Sequence, residues 1–330
     1  LHPRVRRQRQ MCIRDRMIMD NDIQLLTEEA NELSHILNRG NIVSAQVQKM
    51  EPYEQGFSGA SLLRLKVLFA DGQQGSFIGK KADLKERMVM RTLTEQGHHH
   101  TPAAYCENLT SDEAQWMVEE DLGKQLSAPS NRLQWLNKVA AALAEIHGNN
   151  MNRGKEMAWL TPADAEYWNK IVGQLSVDHF EKAISDDYRF AQQFEGYLPK
   201  VKEKAALFAK NMIEISQEEE WLTLTHGDLQ NVEGNHVYNI QGNPYIIDFG
   251  FSSYAPFYID LVDYFSADEA ILYHKALIER GFSLELKDFE ERFKAASLYP
   301  CFIYMFPSMM DWKRGNEEKL VKLIDKIVHD

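Results

Sequence analysis

Two short stretches govern the reading of this chain: Thr225-His226-Gly227-Asp228-Leu229-Gln230, and Ile246-Ile247-Asp248-Phe249-Gly250. In the second, two apolar residues run straight into an acid and a small turn. That pattern predicts Asp248 at the end of a buried strand. Asp228 falls on the loop ahead of the preceding hairpin. Two acids held in this way suit phosphoryl transfer. One orients an attacking hydroxyl and takes its proton, while the other holds Mg²⁺ on the phosphates. Taken singly, the first stretch is a turn and the second a strand end. Their order and their separation of twenty residues carry the signal.

Upstream, the pattern changes twice. Residues 21–39 read as a helix, with Ile23, Leu26, Ala30, Leu33 and Leu37 at helical spacing and Gly40 placed to end it. Strands follow over 42–49, 60–70 and 75–81, with Asp71-Gly72 turning between the last two. A helix over 83–96, with Met88 and Leu93 on one face, precedes short strands at 103–106 and 115–119. The next hundred residues read as helices at 133–147, 164–175, 187–198 and 201–215. A β-rich stretch over 222–251 carries both acids, and helices resume from Tyr258 to the end. This predicts an α+β chain with a small β-rich lobe over 17–120, a larger helical lobe over 121–330 and a cleft between them.

In order along the chain stand His-Gly-Asp, an Asn, Ile-Asp-Phe-Gly, and then Tyr258-Ile259-Asp260-Leu261. This series resembles the aminoglycoside phosphotransferase and choline kinase-like family over about residues 42–265. The resemblance implies a protein-kinase-like fold, with ATP (or GTP) and Mg²⁺ as cofactors and a small hydroxylated molecule as acceptor. It makes Asp228 the catalytic base, Asp248 the principal metal ligand, His226 a brace for the catalytic loop and Asp260 a structural acid. The family places a metal-binding Asn five residues after the catalytic Asp, where this chain has Glu233. Asn235 lies 13 residues before Asp248, as the family spacing requires, so a two-residue insertion makes Asn235 the second ligand; Glu233 and Asn231 stay open.

The small lobe is expected to hold the triphosphate. Gly56-Phe57-Ser58-Gly59-Ala60-Ser61 lies between two strands, where Gly56, Ser58 and Gly59 let backbone N–H groups approach phosphate oxygens. No Gly-Lys-Ser/Thr follows, so it is not a Walker A loop. The resemblance gives Lys80 the α- and β-phosphates, with Glu86 as its ion-pair partner. Strand alternation leaves Lys81 as the alternative. The resemblance also makes residues 116–122 the connector, with backbone groups from Val118 to Glu120 on the adenine edge. His147 reads as structural. Tyr299, Phe302, Tyr304, Phe306 and Trp312 read as core, with an acceptor pocket or a cation cradle as the alternative.

Composition excludes other classes. The 330 residues are 44% hydrophobic, and no apolar run reaches the length of a bilayer span. Cys12, Cys106 and Cys301 are too far apart for a disulfide scaffold or a zinc site, which suits a reducing cytoplasm, and no signal peptide is read. His98-His99-His100 reads as a surface loop, because adjacent histidines diverge. Residues 1–16, LHPRVRRQRQMCIRDR, read as adaptor-derived sequence ahead of a start at Met17 or Met19, a basic nucleic-acid arm being the alternative. Six arginines and one aspartate give that stretch +5, so the rest carries −17 of the net −12. Such an acidic body disfavours nucleic acid and suits a cationic acceptor, with an ordinary solvated acidic surface as the equal alternative. Two rival readings accompany the small-molecule kinase: a nucleotide-binding pseudokinase, motivated by Glu233, and a kinase of a protein or lipopolysaccharide sugar.

Overall fold

The computed structural model describes residues 27–37, 41–50, 62–97, 99–124, 126, 131–230 and 236–329. The chain divides into two compact units after Lys124. In the first, helix α1 (residues 27–37) leads into an antiparallel sheet. Its strands are β1 (Ile42–Lys49), β2 (Leu62–Phe69), β3 (Gln74–Ala82), β4 (Ala104–Cys106) and β5 (Gln115–Glu120), in the order β1-β2-β3-β5-β4. Alternation on β2 buries Leu63, Leu65 and Val67, which join Phe77, Trp116 and Val118 in one core with Leu33, Ile36 and Leu37 of α1. Gly79 on β3 permits that close packing, since a Cβ there would lie 2.7 Å from Cδ1 of Leu33. The expected Ile23, Leu26 and Gly40 lie outside the described residues.

Helix α2 (Leu84–Glu95) joins β3 to β4, and the Asp83 side chain caps it by accepting from the Glu86 N–H at 2.8 Å. Leu93 is buried as expected, but Met88 is only half-buried. The buried face instead includes two charged side chains, Glu86 and Arg87. Apolar periodicity does not register them, because each is buried only by virtue of polar partners: Lys80 for Glu86, and carbonyls more than twenty residues on for Arg87. The Arg87 guanidinium, fully buried, donates to the carbonyls of Asn108, Ser111 and Glu113, which fastens the β4–β5 loop to α2.

The second unit contains α3 (Arg132–Asn150), α4 (Ala165–Val172), α5 (Asp178–Asp186), α6 (Tyr188–Phe194) and α7 (Leu198–Ile215). After it come β6 (Leu222–Thr225), β7 (Val237–Ile240), β8 (Asn243–Ile246) and β9 (Ser253–Pro256). The C-terminal helices are α8 (Ala267–Glu279), α9 (Leu286–Ala296), α10 (Tyr299–Ile303), α11 (Met305–Lys313) and α12 (Glu318–His329). Strand β6 pairs antiparallel with β9, and β7 with β8. Gln241 and Gly242 both have positive φ, at 52° and 82°, which makes the tight turn of the β7–β8 hairpin. Lys138 of α3 donates to Gly242 O at 2.5 Å and holds that turn down.

Three elements depart from the sequence reading. Helix α5 is not anticipated, because Phe180 and Ala183 are the extent of its buried face. Helix α4 runs into a π-helical turn over Gly173–Val177. Past Tyr258 the chain makes a 3₁₀ turn, Phe257–Asp260, and α-helix begins at Ala267, where Ser266 and Glu269 form a capping box.

We expect Arg87→Met to cost about 1–3 kcal/mol, since it removes the buried guanidinium whose charge-assisted hydrogen bonds tie the β4–β5 loop to α2. Urea unfolding of the two proteins checks this; a loss below about 0.5 kcal/mol, the level of an ordinary surface change, would contradict it.

Candidate active site

The His226–Asp228 loop leaves β6 and is fixed by a single buried carboxylate. The His226 N–H donates to Oδ2 of Asp260 at 2.6 Å, and the Gly227 N–H donates to Oδ1 at 2.7 Å. His147 of α3 stands 3.1 Å from the same Oδ2 through Nε2, and the Tyr273 hydroxyl lies 2.7 Å from its Nδ1. An Nε2–H imidazole satisfies both partners, donating to Asp260 and accepting from Tyr273. Asp260 is fully buried and His147 nearly so. Both residues therefore have the structural role expected of them.

Gly227 is required by this geometry. Its φ is +80°, and a Cβ would fall 2.5 Å from the carbonyl oxygen of Phe251. The His226 ring accepts the Asp228 N–H at Nδ1, 3.2 Å away, and sits 2.9 Å from Ile247 O through Nε2. The ring thus ties the backbone of one acid to the residue before the other. Asp248 does not end a strand: β8 stops at Ile246, and Asp248 is left-handed, with φ 68° and ψ 65°. A non-glycine residue held in that region is strained, and such strain is found at functional sites.

The half-buried Asp228 carboxylate has its own partners. Oδ1 accepts from the Tyr304 hydroxyl at 2.5 Å and from Gln230 Nε2 at 3.1 Å. His236 Nε2 lies 3.6 Å from Oδ2.

In the first unit, Lys80 Nζ is 2.5 Å from Glu86 Oε1, and both side chains are largely buried. Lys81 points the other way, with its Nζ 5.1 Å from the centre of the Trp116 ring. The strand's alternation therefore puts Lys80, not Lys81, against α2. Val118 lies inside the sheet, opposite Gly79 on one side and Tyr105 on the other. The Glu120 N–H donates to Ala103 O at 2.9 Å. These backbone groups are used by the sheet, and the next N–H, that of Asp121, donates to Ser76 O at 3.3 Å. The Asp121 side chain is itself fastened by Ser76 Oγ at 2.6 Å and Arg64 Nε at 3.1 Å.

Matching against family models settles the class: the Phosphotransferase enzyme family matches residues 62–286. The chain belongs to that family. Phosphotransferases of known structure share its fold. Choline kinase from Cryptosporidium parvum Iowa II aligns at a TM-score of 0.61 and 13% identity, covering 91% of this chain and 94% of that one. A spectinomycin phosphotransferase in complex with ADP and spectinomycin aligns at 0.55 and 15%, covering 86% and 88%. Plasmodium vivax ethanolamine kinase aligns at 0.54 and 11%, covering 87% and 82%. No curated protein matches. The fold is the expected two-lobed, protein-kinase-like one, with a β-rich first unit and a mostly helical second.

Several sequence-read phosphotransferase positions lie outside the described residues: Gly56, Ser58 and Gly59 of the glycine loop, and Asn231, Glu233 and Asn235. Among the described residues no group of three or more His, Cys, Asp or Glu is placed to hold a metal. Mg²⁺ shared with nucleotide phosphates takes one or two carboxylates and not an all-protein cage. Asp248 has the right donor chemistry for such an ion. His98 also lies outside the described residues, and His99 and His100 sit on a turn. The sequence reading missed Tyr304 and Gln230 at Asp228. The Tyr304 signal was hidden in an aromatic run whose other members differ in fate: Tyr299, Phe302 and Trp312 are core, while Phe306 is 41% exposed.

Asp260→Asn turns an NH₂ group towards a backbone N–H that now has an acceptor. We expect a loss of about 3 kcal/mol, read as a fall in Tm of roughly 5–10 °C. An unchanged Tm would show that the buried clamp does not hold this loop.

Proposed function

We propose that this phosphotransferase is an ATP-dependent (or GTP-dependent) small-molecule kinase that transfers the γ-phosphate to a hydroxyl of an aminoglycoside, an amino-alcohol or a similar metabolite. The observation that carries the reading is the doubly anchored Asp228: its backbone is clamped through Asp260 and His226, and one carboxylate oxygen is pinned by Tyr304 and Gln230. A base held so firmly suits a reaction in which catalysis is mostly positioning and charge.

In this reading Asp228 takes the proton of the acceptor hydroxyl as its oxygen bonds to the γ-phosphorus, and the bond to the β–γ bridging oxygen breaks to release ADP. Lys80, oriented by Glu86, places its ammonium on the α- and β-phosphates. Gly56, Ser58 and Gly59 offer backbone N–H groups to the phosphates, and the connector over 116–122 addresses the base. Asp248, with Asn235, would hold Mg²⁺, which supplies positive charge to the phosphate oxygens when bound. The structural neighbours named for spectinomycin, choline and ethanolamine act on hydroxylated amines, and the −17 body supports a cationic acceptor. Nucleic acid is disfavoured by the same charge. Among the described residues no helix is long and apolar enough to cross a membrane. Burial pushes the Cys106 thiol up to about 12 and Cys301 is buried, so neither is a reactive thiol; a cytoplasmic setting is proposed.

Asp228→Asn is expected to lose ~10²–10⁴-fold in turnover with MgATP affinity nearly intact, because a general base acts on the acceptor. Asp248→Ala is expected to weaken MgATP binding as well. Titrating MgATP against both variants, alongside phosphorylation of a panel of hydroxylated amines, checks this. Full turnover in Asp228→Asn would remove it from the mechanism, and unchanged MgATP affinity in Asp248→Ala would place the metal elsewhere.

A further inference from the structure

The helices beyond residue 286, where the family match ends, reach back to the catalytic loop through two hydroxyl groups. Tyr299, at the start of α10, donates to Gly227 O at 2.8 Å. Tyr304, between α10 and α11, donates to Asp228 Oδ1 at 2.5 Å. We propose that Tyr304 is a positioning residue for the Asp228 carboxylate, fixing Oδ1 so that Oδ2 is the oxygen presented to the acceptor hydroxyl. This rests on the kinase reading above.

A lone aspartate carboxylate turns readily about its terminal torsion, which is broad and roughly two-fold. Two donors on one oxygen remove that freedom. Oδ1 has Tyr304 and Gln230, whereas Oδ2 has His236 Nε2 at 3.6 Å, beyond hydrogen-bonding distance. The two oxygens are therefore not equivalent: among the described residues no donor reaches Oδ2 at hydrogen-bonding distance, which leaves its lone pairs for a proton. Burial, and then the neighbouring Asp228 charge, push the Tyr304 phenol well above its ordinary value, so it remains a donor. The ring is held from the other side by Lys319 of α12, whose Nζ lies 5.0 Å from its centre. Tyr299 is fully packed, with its ring edge-on to Trp168, which fixes the level at which α10 meets the loop. The C-terminal helices thus set the orientation of the base.

The test uses ATP hydrolysis, with water in place of the acceptor, so that it does not depend on knowing the metabolite. Tyr304→Phe keeps the ring and removes the hydroxyl. It is expected to lower kcat about 10–100-fold, the scale of a misplaced catalytic group, with MgATP affinity and Tm unchanged. In an Asp228→Ala background the same change is expected to have no further effect, because it acts through that carboxylate. Gln230→Ala, which removes the other donor from Oδ1, should reproduce the kcat loss and serves if Tyr304→Phe does not fold. Wild-type kcat in Tyr304→Phe, or an equal loss in the Asp228→Ala background, would overturn the proposal. A wild-type protein that binds MgATP but turns none over would overturn the kinase reading, and the proposal with it.

Discussion

The Asp260 carboxylate, fully buried, carries the two successive N–H groups of His226 and Gly227 on its two oxygens. Burying a charge is costly unless it is paired and hydrogen-bonded. Here the cost is met by two backbone donors and the His147 imidazole. The arrangement forces the rest of the loop. With consecutive N–H groups turned to one acid, Gly227 must take a left-handed φ of 80°, and Asp228 is directed away from the clamp. The aromatic packing around His147, with Tyr273 and Phe257 on either side, then holds the clamp itself.

A second link makes the two acids one device. The His226 ring takes the Asp228 N–H on one nitrogen and meets Ile247 O on the other, so a shift of either stretch is felt by both. The first unit follows the same logic with a different pair. Lys80 and Glu86 meet across β3 and α2, while Arg87, the next residue on the helix, locks the β4–β5 loop through carbonyl oxygens. In each unit a buried charge with several hydrogen-bond partners fixes a loop: Asp260 the turn at His226 and Gly227, and Arg87 the β4–β5 connection.

How much was legible in the sequence follows from how local each constraint is. Strands β1, β3 and β5, helix α7 and the order of the motifs are written in periodicity and turn chemistry, and were read to within a residue or three. The Lys80–Glu86 pairing was available because one side chain ends a strand and the other opens a helix. What was not legible depends on contacts made at long range. Helix α5 buries too little for a pattern, and the bend at Asp248 depends on the 3₁₀ turn that follows it. Tyr304 meets Asp228 across 76 residues, and no spacing rule separates it from the core aromatics on either side. The ladder partners of Val118 and Glu120 likewise come from β3, β4 and Ala103, which no local pattern in the connector records.

The most direct test of the central claim is the fate of the γ-phosphate. The protein is incubated with Mg²⁺, γ-labelled ATP and a panel of hydroxylated amines, and the products are separated by mass and by charge. The account predicts label in an acid-stable phosphate monoester of a small molecule, formed only with protein, Mg²⁺ and acceptor together. Label found solely on protein, or ATP bound tightly and never consumed across the panel, would contradict it.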